Sequence, residues 1–232
     1  MPYRKFWILP AVFISVCTAA ACILLLSGCR SDAIVTRPGT TPEDLKRVLI
    51  LPFIDLAGIC GENAVIRCPL CREYFEAGPV LDGSQKLLTA QLVSLLGKQA
   101  DFELVLSNHQ NRPIPDCENY RYEQARERRY LVAAGTSAET DAVLTGYIYR
   151  FRQRAGTDLA VESPASVAFS IHLIRVSDGG DLWYAFMNET QSALSQDLYR
   201  LDSFIERKGR WISAEEMAVA GLSKMLRGFA GQ

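Results

Sequence analysis

Arg47-Val48-Leu49-Ile50-Leu51-Pro52-Phe53 is the stretch whose reading decides the fold. Val48 to Leu51 offer no polar side, so the segment reads as a strand buried on both faces. Pro52 lacks the N–H that a ladder needs and ends the strand. Such a strand requires helices packed on its sheet, and the next periodic segment supplies one. Residues 81–97 carry Leu88, Leu92, Leu95 and Leu96 at helical spacing, with Asp82 and Gln85 as a capping pair and Gly97 as a stop. Residues 102–106 (FELVL) alternate and read as a second strand. Strand, helix and strand in this order predict a parallel, right-handed crossover.

Downstream the pattern changes. Residues 112–115 break the chain, and residues 117–134, rich in Glu, Gln, Arg and Tyr, read as a more exposed helix ending at Gly135. Residues 141–152 (DAVLTGYIYRFR) form a third strand, in which Gly146 marks a bulge or a close backbone approach. Residues 166–176 and 181–190 form a hairpin around Ser177-Asp178-Gly179-Gly180, whose residue types tolerate positive φ. Val167, Phe169, Ile171 and Leu173 share one face of it by period-two spacing. Residues 213–229 are a helix with a Ser213/Glu216 capping box and Met217, Gly221, Leu222, Met225, Leu226 and Phe229 on its inner side. The expected fold class is therefore α/β (α+β), one domain with a mixed, mainly antiparallel sheet and about three helices.

Upstream, residues 1–28 have the build of a signal peptide: Arg4 and Lys5, an apolar run from Phe6 to Leu26, then small residues. Pro10 interrupts that run, which argues against a membrane-spanning helix, and Cys17 and Cys22 inside it are small hydrophobes. Leu26-Ser27-Gly28-Cys29 resembles the lipobox of bacterial lipoproteins. The resemblance implies cleavage before Cys29, acylation of its thiol and anchoring to a membrane. Arg30 stands where an Asp tends to retain enterobacterial lipoproteins at the inner membrane, so the implied address is the outer membrane, facing the periplasm. Residues 29–46 read as the lipidated start and a flexible tether, and residues 47–232 as the periplasmic domain.

The chain is 49% hydrophobic and 22% charged, which supports a sizeable core. A net charge of −1 lacks the basic excess of a nucleic-acid binder, so no nucleic-acid partner is expected.

Residues 54–80 show no periodicity and hold Cys60, Cys68 and Cys71; Cys117 follows later. In an oxidising compartment this even set is expected to form two structural disulfides, with Cys68–Cys71 the least favoured pairing and Cys117 reaching back across the domain. A zinc site of all four thiolates is a second reading, since Cys68-Pro69-Leu70-Cys71 has ligand spacing. A thiol–disulfide oxidoreductase is a third. His109 and His172 lack partners at ligand spacing and read as solvated or core-satisfied. No nucleophile elbow, phosphate loop or His-Glu-x-x-His occurs, and Asn188-Glu189-Thr190 is a glycosylation acceptor only by spelling. No catalytic residue, cofactor or enzyme activity is expected.

Two segments suit partners. Arg121, Arg126, Arg128 and Arg129 alternate with Glu118, Glu123 and Glu127, a solvated helix face or, with Tyr120, Tyr122 and Tyr130, a docking surface. Residues 199–211 hold Leu201, Phe204, Ile205 and Trp211, with Leu198 just before them, and read as a cover on the sheet or a partner-binding lip.

The element order, with RVLILPF, DAVLTGYIY and RVSDGGDLWYA, resembles a group of lipoproteins: the curli secretion channel lipoprotein, the activators of penicillin-binding proteins and a neisserial surface lipoprotein. It implies a shared fold and a non-enzymatic accessory or assembly role in the cell envelope. The alternative it offers is an oligomeric export-channel component. The alternating hairpins of a membrane barrel are missing.

Overall fold

The computed structural model describes residues 34–38, 45–99, 101–107, 112–113, 117, 120–156, 161–191, 211–227 and 229. Cys29, His109, the leader and residues 199–210 lie outside the described residues.

In chain order the elements are β1 (Ile34–Pro38), β2 (Arg47–Ile50), β3 (Ile54–Asp55), α1 (Leu56–Cys60), β4 (Val65–Arg67), β5 (Tyr74–Glu76), α2 (Ser84–Gln99), β6 (Glu103–Leu106), α3 (Tyr120–Ser137), β7 (Ala142–Arg152), β8 (Ala155–Gly156), β9 (Val161–Ser163), β10 (Ser166–Arg175), β11 (Asp181–Thr190) and α4 (Ala214–Arg227). The large sheet runs β1-β11-β10-β7-β2-β6, with β3 beside β7. β2 lies parallel to both β6 and β7, as the strand-helix-strand reading requires. The long strands β7, β10 and β11 pair antiparallel. The sheet is mixed and mainly antiparallel, as its sequence pattern implies.

Each face of the sheet has its own cover. On one face Val48, Ile50, Leu144, Phe169, Ile171 and Leu173 meet Leu88, Leu92 and Leu96 of α2 and Met217, Leu222 and Met225 of α4. On the other, Leu49, Leu51, Val143, Tyr147 and Tyr149 meet Leu56 of α1, Ile66 and Phe75 of the β4–β5 hairpin, and Leu131 of α3. Local chemistry places the covers. Phe53 N–H donates to Thr89 Oγ1 at 3.1 Å, tying the end of β2 to α2. The Ser213/Glu216 capping box forms, with bonds of 3.1 and 3.0 Å, and sets the start of α4.

Several boundaries differ from expectation, each for a physical reason. Gly97 and Gly135 lie inside helices rather than ending them. A Cβ at Gly135 would meet Val176 at 2.3 Å and Val143 at 2.7 Å, so that glycine serves close packing. Gly146 serves the same end: its Cβ would meet the Phe53 ring at 2.2 Å. The bulge between β7 and β10 falls between Ala168 and Phe169 instead. Residues 34–38, expected within the flexible tether, form β1 and pair antiparallel with β11, whose outer edge supplies free ladder groups. Residues 54–80, read as an irregular loop, fold into β3, α1 and the β4–β5 hairpin.

Candidate functional site

The β4–β5 hairpin carries the chemistry. Its turn is Cys68-Pro69-Leu70-Cys71-Arg72. Cys68 N–H donates to Glu73 O at 2.8 Å and Arg72 N–H to Cys68 O at 3.2 Å, which closes the turn. Arg72 adopts φ 67°, a left-handed conformation that turns the chain back into β5.

Three sets of contacts hold this hairpin against the sheet and α3. Phe75 stacks on Tyr149 at 3.9 Å and meets Phe186 edge-on at 5.4 Å. Arg72 donates to Gln124 Oε1 at 2.9 and 2.6 Å, and Gln124 Nε2 donates to Leu70 O at 3.0 Å. Arg150 donates to Glu76 O at 2.6 Å and to Ser166 Oγ at 2.6 Å. Just before the hairpin, Cys60 at the end of α1 is bonded to Cys117.

Under the turn the sheet presents polar groups where a core would normally be apolar. Ser170 and His172 alternate on β10, and Tyr149 stands beside them on β7. Cys68 Sγ lies 3.3 Å from His172 Nε2 and 3.9 Å from Ser170 Oγ. Ser170 Oγ is 3.0 Å from His172 Nε2 and 2.9 Å from the Tyr149 hydroxyl. The His172 ring stacks against Tyr184 at 5.7 Å and tilts against Tyr147 at 5.8 Å. Leu70 N–H points at Cys68 Sγ from 3.5 Å. The sulfur atoms of Cys68 and Cys71 and a ring nitrogen of His172 all lie within 4.8 Å of one another. Cys68 and His172 are buried and Cys71 is half-buried.

The electrostatics divide the two thiols. Burial opposes ionisation of Cys68, but the Cys71 hydrogen bond and the charge and hydrogen bond of His172 hold its thiol well below the usual range. Its interaction with Cys68, and then burial, push Cys71 up. The cluster therefore favours one thiolate, at Cys68, beside an imidazole. It can act as a redox pair, a soft metal-ligand set or a buried thiolate–imidazole pair.

A second buried polar group adjoins it. Tyr147 O–H donates to Glu127 at 2.7 Å, and Arg112 donates to the Tyr147 oxygen at 2.9 Å and to Glu127. Burial, then the Glu127 charge, raise the Tyr147 hydroxyl well above its usual value.

Four expectations require correction. Cys68 and Cys71 are free thiols, so only one of two expected disulfides forms, because the tight turn directs Cys68 at His172 instead. The zinc site of all four thiolates is not assembled either, since Cys60 and Cys117 are joined to each other. His172 has cysteine partners, brought from 104 residues away, which no spacing rule along the chain can reveal. Glu127, read on a solvated helix face, is buried against Arg112. Arg126 and Arg129 are exposed, whereas Arg128 is half-buried and pairs with Asp181 at 2.7 Å. The signal that was available for His172 is the polar alternation Ser170-Ile171-His172 opposite Thr145, Tyr147 and Tyr149, in strands too apolar to be exposed.

No family profile matches the chain, and no curated protein matches it in sequence. Its fold is that of PelC: the PelC dodecamer from Paraburkholderia phytofirmans superposes with a TM-score of 0.51 at 11% identity, covering 86% of this chain and 97% of that one. The structural neighbours also include two of the lipoprotein groups that the sequence pattern resembles. Lipoprotein GNA1162 from Neisseria meningitidis gives a TM-score of 0.37 at 14% identity, over 70% of this chain and 96% of that one. The LpoB C-terminal domain from Salmonella enterica gives 0.32 at 13% identity, over 63% and 83%.

Proposed function

We propose that the protein is an outer-membrane lipoprotein whose α/β domain serves, without catalysis of its own, as an accessory or assembly subunit of a cell-envelope complex. The observation that carries this reading is Leu26-Ser27-Gly28-Cys29, a lipobox at the end of a basic and apolar leader. Among the described residues no helix is long and apolar enough to cross a membrane. Acylation of Cys29 would supply the anchor, though one lipid chain alone holds a protein only marginally, so the diacyl form matters. The non-catalytic part of the reading is supported by burial: Cys68 is 2% exposed and His172 0%, so this nucleophile–base pair is closed to a substrate.

The PelC fold favours a second reading, in which several copies form a ring in an export apparatus, since the PelC structure is a dodecamer. Native mass spectrometry of the detergent-solubilised protein separates the two. A ring supports the export-channel component, and a monomer that crosslinks to another envelope protein in intact cells supports the accessory subunit. Cys29→Ala tests both at once: the variant should keep its leader and lose its acyl mass. A Cys29→Ala protein that is still processed and stays with the membrane at the wild-type mature mass would refute the lipoprotein reading.

A further inference from the structure

We propose that Cys68, Cys71 and His172 bind a divalent zinc-like metal ion, with the Ser170 hydroxyl beside the fourth coordination position.

The donor atoms are already gathered. In a tetrahedral zinc site, bonds of about 2.3 Å to sulfur and 2.0–2.1 Å to nitrogen put neighbouring ligand atoms roughly 3.5–3.8 Å apart. Cys68 Sγ and His172 Nε2 are 3.3 Å apart, and all three donors fall within 4.8 Å, so closing on an ion takes a movement of about an ångström. Ser170 Oγ, 3.9 Å from Cys68 Sγ and 3.0 Å from His172 Nε2, sits at ligand-to-ligand distance from both.

The backbone is shaped for the same purpose. A short hairpin with two cysteines across a Pro-Leu turn directs both thiols to one side, and the left-handed Arg72 completes the turn. Leu70 N–H points at Cys68 Sγ, the kind of N–H···S contact that stabilises a thiolate ligand. The turn is held over His172 by its bonds to Gln124, so the ligands from hairpin and sheet are held in place rather than brought together by chance.

Charge selects the ion. Two thiolates and a neutral imidazole carry a charge of −2, and a divalent cation cancels it in a place where an uncompensated charge would be costly. Binding expels to solvent the protons that the ligands still hold, the Cys71 thiol proton among them, and needs no oxidant or reductant. His172 Nδ1 has no hydrogen-bond partner among the described residues, nor has Oγ1 of Thr145, which lies directly across from His172 on β7. With Nε2 on the metal, Nδ1 carries the proton. This donor set differs from a four-thiolate site because Cys60 and Cys117 are engaged with each other.

The test uses full-length protein extracted from membranes without chelator. Elemental analysis should find about one zinc per chain. Replacement by Co²⁺ should give thiolate-to-cobalt charge-transfer absorption and the intense visible bands of a tetrahedral site. Thiol titration in denaturant after chelation should count two thiols, with Cys60–Cys117 intact. Cys71→Ser, which touches a half-buried position, and His172→Gln should each weaken Co²⁺ binding by ~100-fold or more. Circular dichroism on each variant confirms that it folds, and the wild-type cobalt spectrum stands without either. Metal-free protein with a Cys68–Cys71 disulfide would overturn the proposal in favour of a redox pair. Four titratable thiols, an octahedral cobalt spectrum, or unchanged affinity in both folded variants would overturn it too.

Discussion

The two faces of the sheet are built on different principles. The face under α2 and α4 is closed by hydrocarbon: Phe169 meets Phe53 edge-on at 6.1 Å, and Trp183 meets Phe229 at 5.0 Å. Position after position it depends on shape and on area removed from water. The face under the cysteine hairpin and α3 holds Thr145, Tyr147, Ser170, His172 and Glu127, all buried, and depends on polar groups finding each other. The same strands, β7 and β10, supply both faces through alternate residues. The difference teaches that one face is organised for stability, and the other keeps reactive groups in a dry, shaped place at an energetic cost.

The largest effects should test that division directly. Phe169→Ala should cost about 3–5 kcal/mol, seen as a lower urea midpoint, because it leaves a cavity that α2 and α4 cannot fill. Glu127→Ala should cost a similar amount, because it leaves Arg112 buried without its anion. The two losses should respond differently to rescue. Replacing the pair together, Arg112→Met with Glu127→Leu, should recover most of the stability, since a hydrophobic pair avoids the desolvation of both ions. If the double variant is no more stable than Glu127→Ala, the polar face is not the high-cost arrangement described above.

Next in size comes the clamp on the polar face. Cys60–Cys117 spans 57 residues and ties the cover segment to the region before α3. Its removal should cost about 2–4 kcal/mol, mainly by freeing the unfolded chain. The loss should also be local: limited proteolysis should open residues 54–80 before it touches α2 or α4. Simultaneous cleavage on both faces would show that the covers unfold as one unit.

A smaller effect marks the hydrogen-bonded stripe. Tyr149→Phe removes the hydroxyl that bonds Ser170 at 2.9 Å but keeps the ring that stacks on Phe75. It should cost about 1 kcal/mol. Thiol-modification kinetics should change as well, since the Tyr149 hydroxyl bonds Ser170, whose Oγ lies 3.9 Å from Cys68 Sγ. An unchanged rate would detach Tyr149 from the thiol cluster.

The apolar face was legible in the sequence and the polar face was not, for one reason. Hydrophobic periodicity reports which residues avoid water, and Val167, Phe169, Ile171 and Leu173 do so plainly. The same rule leaves the alternate residues Ser170 and His172 undecided, and His172 reads equally as solvated or core-satisfied. The cover of residues 54–80, together with α3, buries them, and residues 54–80 have short elements whose order owes little to periodicity. The capping box at Ser213 was readable because it is local, closed within three residues. The Cys68–His172 contact joins residues 104 apart, and it depends on a turn conformation at Arg72 that no residue type announces. Likewise, β1 looked like tether because an edge strand needs only one neighbour and carries little hydrophobic signal.

The smallest predicted effect concerns a group that belongs to neither face. Asp141 sits at the end of the sheet, where its carboxylate accepts from Lys46 N–H at 2.8 Å and Arg47 N–H at 2.9 Å, joining the start of β2 to the start of β7. Those two backbone bonds, Arg47 first, hold its carboxyl below the usual value. A depressed carboxylate contributes stability that is present above its unfolded pKa, about 3.9, and is lost as the pH falls through the lower folded value. The group is largely exposed, so solvent screening keeps the contribution to about 0.5 kcal/mol or less. Asp141→Asn retains an oxygen to accept a backbone bond but has no charge to titrate. It should therefore be close to wild type at pH ~7 and lose less stability than wild type below pH ~4. Urea midpoints measured across that range decide it. Parallel acid limbs for wild type and variant would move the acid sensitivity away from Asp141 and onto the buried groups of the polar face.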